Sequence, residues 1–173
     1  MTLYDTVVIG AGPGGMTAAM YAARSELKVL LLERGAPGGQ MNNTAEIENY
    51  PGYETIMGPD LSMKMYEPLE GLGVENAYGI VQNVTVNADG IKQVITEDEV
   101  FEAKTVIIAT GAQHRHLNVP GEEEYGARGV SYCAVCDGAF FRNQDILVVG
   151  GGDSAVEEAL FLTRFGSSVT ILH

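Results

Sequence analysis

The chain has 173 residues, and its formal net charge of -13 at pH 7 makes nucleic acid and anionic membrane poor partners. Hydrophobic residues make up 46%, enough for a buried core, yet no apolar run approaches the length of a membrane span. With 22 glycines, the composition fits a soluble α/β protein whose buried parallel strands are joined by tight turns.

A strand is predicted over residues 4–9 and a helix over about 14–25, where Met16, Ala19, Met20 and Ala23 mark one face. Met1-Thr2-Leu3-Tyr4-Asp5 lacks a basic leader and glycines interrupt the apolar stretch behind it, so a cytoplasmic home is expected. A second strand is predicted over 28–32, followed by the loop Gly35-Ala36-Pro37-Gly38-Gly39-Gln40. After Pro59 the spacing of Leu61, Met65 and Leu69 predicts another helix.

Alternation over 80–86, the turn Ala88-Asp89-Gly90 and the return over 91–95 predict an antiparallel β-meander, partly facing solvent. Residues 105–109 read as a buried strand ending in Thr110-Gly111. The stretch 113–118, closing on Pro120-Gly121, reads as a linker in which His114 and His116 are exposed and idle. The acidic runs Glu97-Asp98-Glu99 and Glu122-Glu123-Glu124 read as solvated surface. A new strand and helix begin near Asp145.

Two glycine fingerprints of the form G-x-G-x-x-G/A stand at Gly10-Ala11-Gly12-Pro13-Gly14-Gly15 and Gly150-Gly151-Gly152-Asp153-Ser154-Ala155. Each follows an apolar strand and opens a helix, the context in which this motif binds a dinucleotide. In the first copy Gly10 permits the tight turn, Gly12 lets backbone approach a pyrophosphate and Gly15 lets helix and strand pack closely. The helix N-terminus adds oriented N–H groups and partial positive charge.

Glu33 closes the second strand, where a carboxylate can bind an adenosine ribose. An offset equal to that from Gly10 to Gly150 lays His173 on Glu33. The missing acid leans toward NADP, whose 2′-phosphate a carboxylate would repel. Gly38-Gly39-Gln40 and the order of the copies favour flavin in the first unit, with a plain surface turn as the alternative.

Between the fingerprints lies Cys133-Ala134-Val135-Cys136, followed by Asp137-Gly138. Three readings are open: inert buried thiols, a redox dithiol that cycles through a disulfide, and half of a zinc site completed by His114 and His116.

Taken together, these motifs and Pro37-Gly38-Gly39-Gln40, Glu48-Asn49-Tyr50-Pro51-Gly52 and Ala109-Thr110-Gly111 resemble those of bacterial low-molecular-weight thioredoxin reductases. The resemblance runs over residues 7–173. It implies a homodimer that moves electrons from NADPH to FAD, then to the disulfide, then to thioredoxin, with no metal.

By motif match, Cys136 would face the flavin, Cys133 would attack the thioredoxin disulfide and Asp137 would carry the proton. Gly10, Gly12, Gly15, Glu33, Gly38, Gly39, Gln40, Asn49 and Gly111 would hold FAD. Gly150, Gly152, Asp153, Ser154 and Glu157 would line the NADPH site.

The resemblance also implies an organisation. Residues 1–112 would be the N-terminal part of an FAD-binding domain without its C-terminal return segment. Residues 113–173 would be the linker, the Cys-x-x-Cys and the first strand–helix–strand unit of an incomplete NADPH-binding domain, able to swing about 113–118. Two other readings are carried: a related reductase such as the flavoprotein subunit of alkyl hydroperoxide reductase, and a non-catalytic FAD-binding fragment.

Overall fold

The computed structural model describes residues 2–126 and 128–173, which form two compact units dividing between Ala112 and Gln113. In the first unit a six-stranded sheet runs in the order β5 (Glu75–Tyr78), β2 (Val29–Glu33), β1 (Leu3–Ile9), β8 (Val100–Ile108), β7 (Lys92–Ile95), β6 (Asn83–Val86). Its centre is β1 (Leu3–Ile9), parallel to β2 (Val29–Glu33) with Thr6 opposite Val29 and Ile9 opposite Leu32. β2 pairs in parallel with β5 (Glu75–Tyr78).

Both faces of β1 and β2 are covered, which explains their unbroken apolar runs. Val8, Val29 and Leu31 pack with Met16 and Ala19 of helix α1 (Pro13–Arg24) and Leu69 of helix α2 (Gly58–Gly71). Val7, Ile9, Leu30 and Leu32 pack on the other face with Val94 and Ala103. Each of the Val, Leu, Ile and Met side chains among these, withdrawn from water, contributes about 1.5–3 kcal/mol.

Both predicted helices are present, shifted by a residue or two at their ends. Pro13 occupies the first turn of α1, where its missing N–H costs nothing. The meander is β6 (Asn83–Val86) and β7 (Lys92–Ile95), closed by Gly90 at φ +79°. It continues into β8 (Val100–Ile108).

That last strand departs from expectation. β8 starts five residues earlier than predicted and serves two partners: its first part pairs antiparallel with β7, while Glu102 to Ile108 pair in parallel with β1. Its end is not buried, since Ile107 and Ile108 are 38% and 72% exposed. β1 holds one edge of this segment, and among the described residues no strand pairs with the other.

In the second unit, residues 113–118 carry no regular structure. A single helical turn, α3 (Ala134–Asp137), leads into a 3-10 turn, Gly138–Phe141. Then β9 (Asp145–Val149), α4 (Asp153–Leu162) and β10 (Ser168–Leu172) form a parallel two-stranded ribbon under one helix. Only one face of β9 is sheltered: Ile146 and Val148 are half-buried, whereas Leu147 and Val149 are exposed.

Two surface expectations are corrected. Glu122 is buried at 6% exposure, although the run it opens reads as solvated. His114 and His116 are exposed but not idle, for both rings pack on Tyr132. No helix among the described residues is long and apolar enough to cross a membrane.

Candidate functional site

The first fingerprint forms a bare cradle at the C-terminal end of β1. Gly10 takes φ +103°, and a methyl group there would collide with the Ala109 carbonyl. At Gly15 a methyl group would strike the carbonyl of Gly10, so helix and turn touch through glycine alone. Gly12 is the N-cap of α1, makes no side-chain cap bond, and has open space where a side chain would project. The first-turn N–H groups therefore keep their bonding capacity for an anion.

Glu33 lies beside that cradle. Its carboxylate accepts the Ala11 N–H at 2.6 Å and the N–H groups of Arg34 and Gly35 at 2.8 and 2.9 Å. Two carboxylate oxygens offer about four acceptor directions, leaving one for a ribose hydroxyl. The chemistry of this donor and acceptor set fits an adenine dinucleotide.

The loop after β2 closes over the fingerprint. Gly38 donates its N–H to the Ala11 carbonyl at 2.8 Å, and a methyl group on Gly39 would come within 3.3 Å of the Gly12 Cα. Gly38, at φ +124°, has a packing reason of its own, because any side chain there would run into Ser62 of α2. Residues 39–43 wind into a 3-10 turn rather than an open loop.

Gln40 donates to the Ala112 carbonyl at 3.0 Å, joining this turn to the end of the unit. Gly111 follows β8 at φ +70° with open space around it, and Asn49 is exposed between the short strands β3 (Glu46–Ile47) and β4 (Ile56–Met57). Asn42, absent from the predicted set, donates to the Pro37 carbonyl at 2.8 Å and shapes the loop. No sequence motif marks it.

The second fingerprint repeats the first. Gly150 takes φ +143° and donates to the Leu172 carbonyl at 2.9 Å, as Gly10 donates to Leu32 at 2.8 Å. Gly152 caps α4 with open space before it, and Asp153, Ser154 and Glu157 are exposed on that helix. Where Glu33 reaches Ala11, the ring of His173 lies so close to Gly151 that a methyl group there would collide with it.

Cys133 and Cys136 are joined as a disulfide across α3, with a Cα separation of 5.3 Å. Cys133 is half-buried and Cys136 exposed. The Cys136 N–H points at the Cys133 sulfur at 3.2 Å. Ser131 donates to Asp137 Oδ2 at 2.5 Å while accepting the Cys133 N–H at 3.1 Å, so the acid and the first cysteine share one hydroxyl. Among the described residues no group of three or more His, Cys, Asp or Glu is placed to hold a metal ion.

Glu122 lies in the same unit. It accepts the Tyr132 hydroxyl at 2.6 Å and the N–H groups of Leu117 and Asn118 at 2.9 and 2.7 Å. The Tyr132 bond, aided by these backbone donors, holds the carboxyl down at about 2, well below its ordinary 4.5. The same bond raises the Tyr132 phenol. Neither residue stands out in the sequence, because a buried acid within a run of three looks like its neighbours.

Comparison with known proteins finds that the sequence model for the pyridine nucleotide-disulphide oxidoreductases matches residues 4–173. A thioredoxin reductase of Listeria monocytogenes is 57% identical over 99% of this chain and 53% of its own length. That of Bacillus subtilis is 56% identical over 99% of this chain and 54% of its own. The chain thus spans about half the length of the curated relatives it matches. The crystal structure of thioredoxin reductase from Streptococcus pyogenes MGAS5005 superposes with TM-score 0.89 at 69% identity, covering 99% of this chain and 56% of that one.

Proposed function

This chain belongs to the pyridine nucleotide-disulphide oxidoreductase family, and on that premise we propose that it carries the flavin-binding part and the disulfide-bearing part of an NADPH-dependent thioredoxin reductase. The observation that carries the reading is the Cys133–Cys136 disulfide, with Asp137 following at once, in a chain that holds two bare glycine-capped helix ends. Residues 1–112 are the FAD-binding portion and 113–173 the redox and nicotinamide-binding portion. The working form is a cytoplasmic homodimer whose protein substrate is thioredoxin.

Gly12 and the first turn of α1 hold the FAD pyrophosphate, Glu33 takes the ribose, and Gly10, Gly15, Gly38, Gly39, Gln40, Asn49 and Gly111 complete the pocket. Gly150, Gly152, Asp153, Ser154 and Glu157 line the NADPH site. With His173 in place of a carboxylate, the group that would repel a 2′-phosphate is missing. When bound, FAD supplies a two-electron carrier between a nicotinamide and the disulfide.

The chain's own chemistry is thiol exchange. In the reduced form the Cys133 thiolate attacks the substrate disulfide, forming a mixed disulfide and releasing one substrate thiolate. Cys136 then attacks the Cys133 sulfur, which re-forms the internal disulfide and frees the second substrate sulfur. The substrate gains two electrons and the dithiol loses them. Asp137, oriented by Ser131, moves the protons that these thiols and thiolates exchange.

The test is the visible spectrum of the purified chain with added FAD, before and after anaerobic NADPH. Bound flavin that bleaches supports both cofactor sites in this chain. Bound flavin that stays yellow restricts the reading to the FAD site, and absence of bound flavin would overturn it for this chain.

A further inference from the structure

Tyr132 stands immediately before Cys133, and its hydroxyl is held by a carboxylate ten residues upstream. That carboxylate, Glu122, is withdrawn from water with a side chain 5% exposed. It sits against successive backbone N–H groups at Leu117 and Asn118, where Asn118 adopts φ +58°. Such a run of N–H groups beside a left-handed residue forms an anion-binding concavity. Here the anion is the protein's own side chain.

The imidazole of His116 adds to the lock, with Nδ1 3.2 Å from the Tyr132 hydroxyl and 3.5 Å from Glu122. His114 stacks on the Tyr132 ring at 4.8 Å. Three segments, 114–118, 122 and 132, are therefore tied at one buried carboxylate, and the tie ends one peptide bond short of the half-buried sulfur. A core role alone would not require it to end there.

We propose that Glu122 is a positioning residue for the Cys133–Cys136 couple, acting through Tyr132. With Tyr132 fixed, Cys133 has less freedom in the dithiol form, so the two sulfurs stay at high effective concentration and the disulfide is favoured. Releasing Tyr132 frees the backbone of Cys133 chiefly in the dithiol, because the S–S bond restrains it in the oxidised form. The inference rests on the reading of this disulfide as redox-active.

The experiment equilibrates the 173-residue chain with reduced and oxidised glutathione, alkylates the free thiols and reads the disulfide fraction by mass. Two glutathione thiols reduce the Cys133–Cys136 bond: one S–S bond breaks, the glutathione S–S bond forms, and the two protons end on the protein thiols. Tyr132→Phe, which removes the bond outright, is expected to shift this equilibrium toward the dithiol about tenfold, and Glu122→Gln, whose amide oxygen can still accept the hydroxyl, to shift it the same way by about threefold. Melting temperatures are recorded alongside.

Equal equilibrium constants in wild type and both variants, even with lowered melting temperatures, would overturn the proposal and leave Glu122 a structural residue. If Glu122→Gln fails to fold, Tyr132→Phe decides: a shift supports the proposal and its absence overturns it. A wild-type disulfide that glutathione and dithiothreitol both leave untouched would overturn this inference and the reductase reading together. The glutathione assay involves no flavin, nicotinamide or thioredoxin, so failure at those steps is seen separately.

Discussion

The Glu33 carboxylate accepts the Ala11 N–H at 2.6 Å, binding the end of β2 to the tip of the first glycine turn. With Arg34 and Gly35 also donating to it, the group is fixed before any nucleotide arrives. Glu33→Ala should therefore lower FAD affinity by at least about tenfold, since it removes both the proposed ribose acceptor and the partner of a turn N–H. Titration of flavin fluorescence measures this. Unchanged affinity would place the ribose elsewhere.

Gly12 separates the proposed ligand contact from folding. A side chain at Gly12 meets open space within the protein, so Gly12→Val should melt within a few degrees of wild type yet bind no FAD. Circular dichroism and flavin absorbance give the two readings. Undiminished flavin content would refute the pyrophosphate placement.

Gly38 behaves in the opposite way. Its φ of +124° and its contact with Ser62 leave no room for a side chain. Gly38→Ala should cost about 1–3 kcal/mol of stability through strain and overpacking, read as a lower denaturant midpoint. A midpoint equal to wild type would show that the loop yields without cost.

Under the proposed reductase reading, Cys133→Ser should leave bound flavin reducible by NADPH and abolish thioredoxin turnover, because the proposed attacking thiolate would be gone while Cys136 remains. Stopped-flow absorbance and an insulin-coupled thioredoxin assay separate the two steps. Thioredoxin reduction that persists in this variant would sink the assignment of Cys133.

Glu122 makes stability depend on pH in a defined direction. Its carboxyl lies at about 2 in the folded chain against 4.5 ordinarily, so the unfolded chain binds the proton more readily. The contribution is whole above about pH 4.5 and is lost progressively as pH falls toward 2. Melting curves of wild type and Glu122→Gln should differ most at neutral pH and converge in acid. Curves that stay parallel across this range would show that the carboxylate carries no linked stabilisation.

Much of this architecture is local and therefore legible along the chain. Val7-Val8-Ile9 before Gly10 and Val148-Val149 before Gly150 announce a strand, a turn and a helix, because each glycine answers a steric need within a few residues of itself. The Cys-x-x-Cys spacing suits a disulfide across one helical turn, and Cys133 and Cys136 form one across α3. The meander is legible in the turn Ala88-Asp89-Gly90 and the alternation around it, which act over short range, although its first strand begins at Asn83 rather than at residue 80.

What the tertiary structure alone decided are the pairings between distant residues. Nothing near Glu122 in the sequence distinguishes it from Glu123, yet the fold buries it against Tyr132 and the backbone of 117–118. β8 reads as an ordinary buried strand, but its partners, β7 for one part and β1 for the other, set its length and leave Ile108 in water. Backbone geometry and turn chemistry are properties of neighbours in sequence. Burial and charge pairing are properties of neighbours in space, and only folding brings those together.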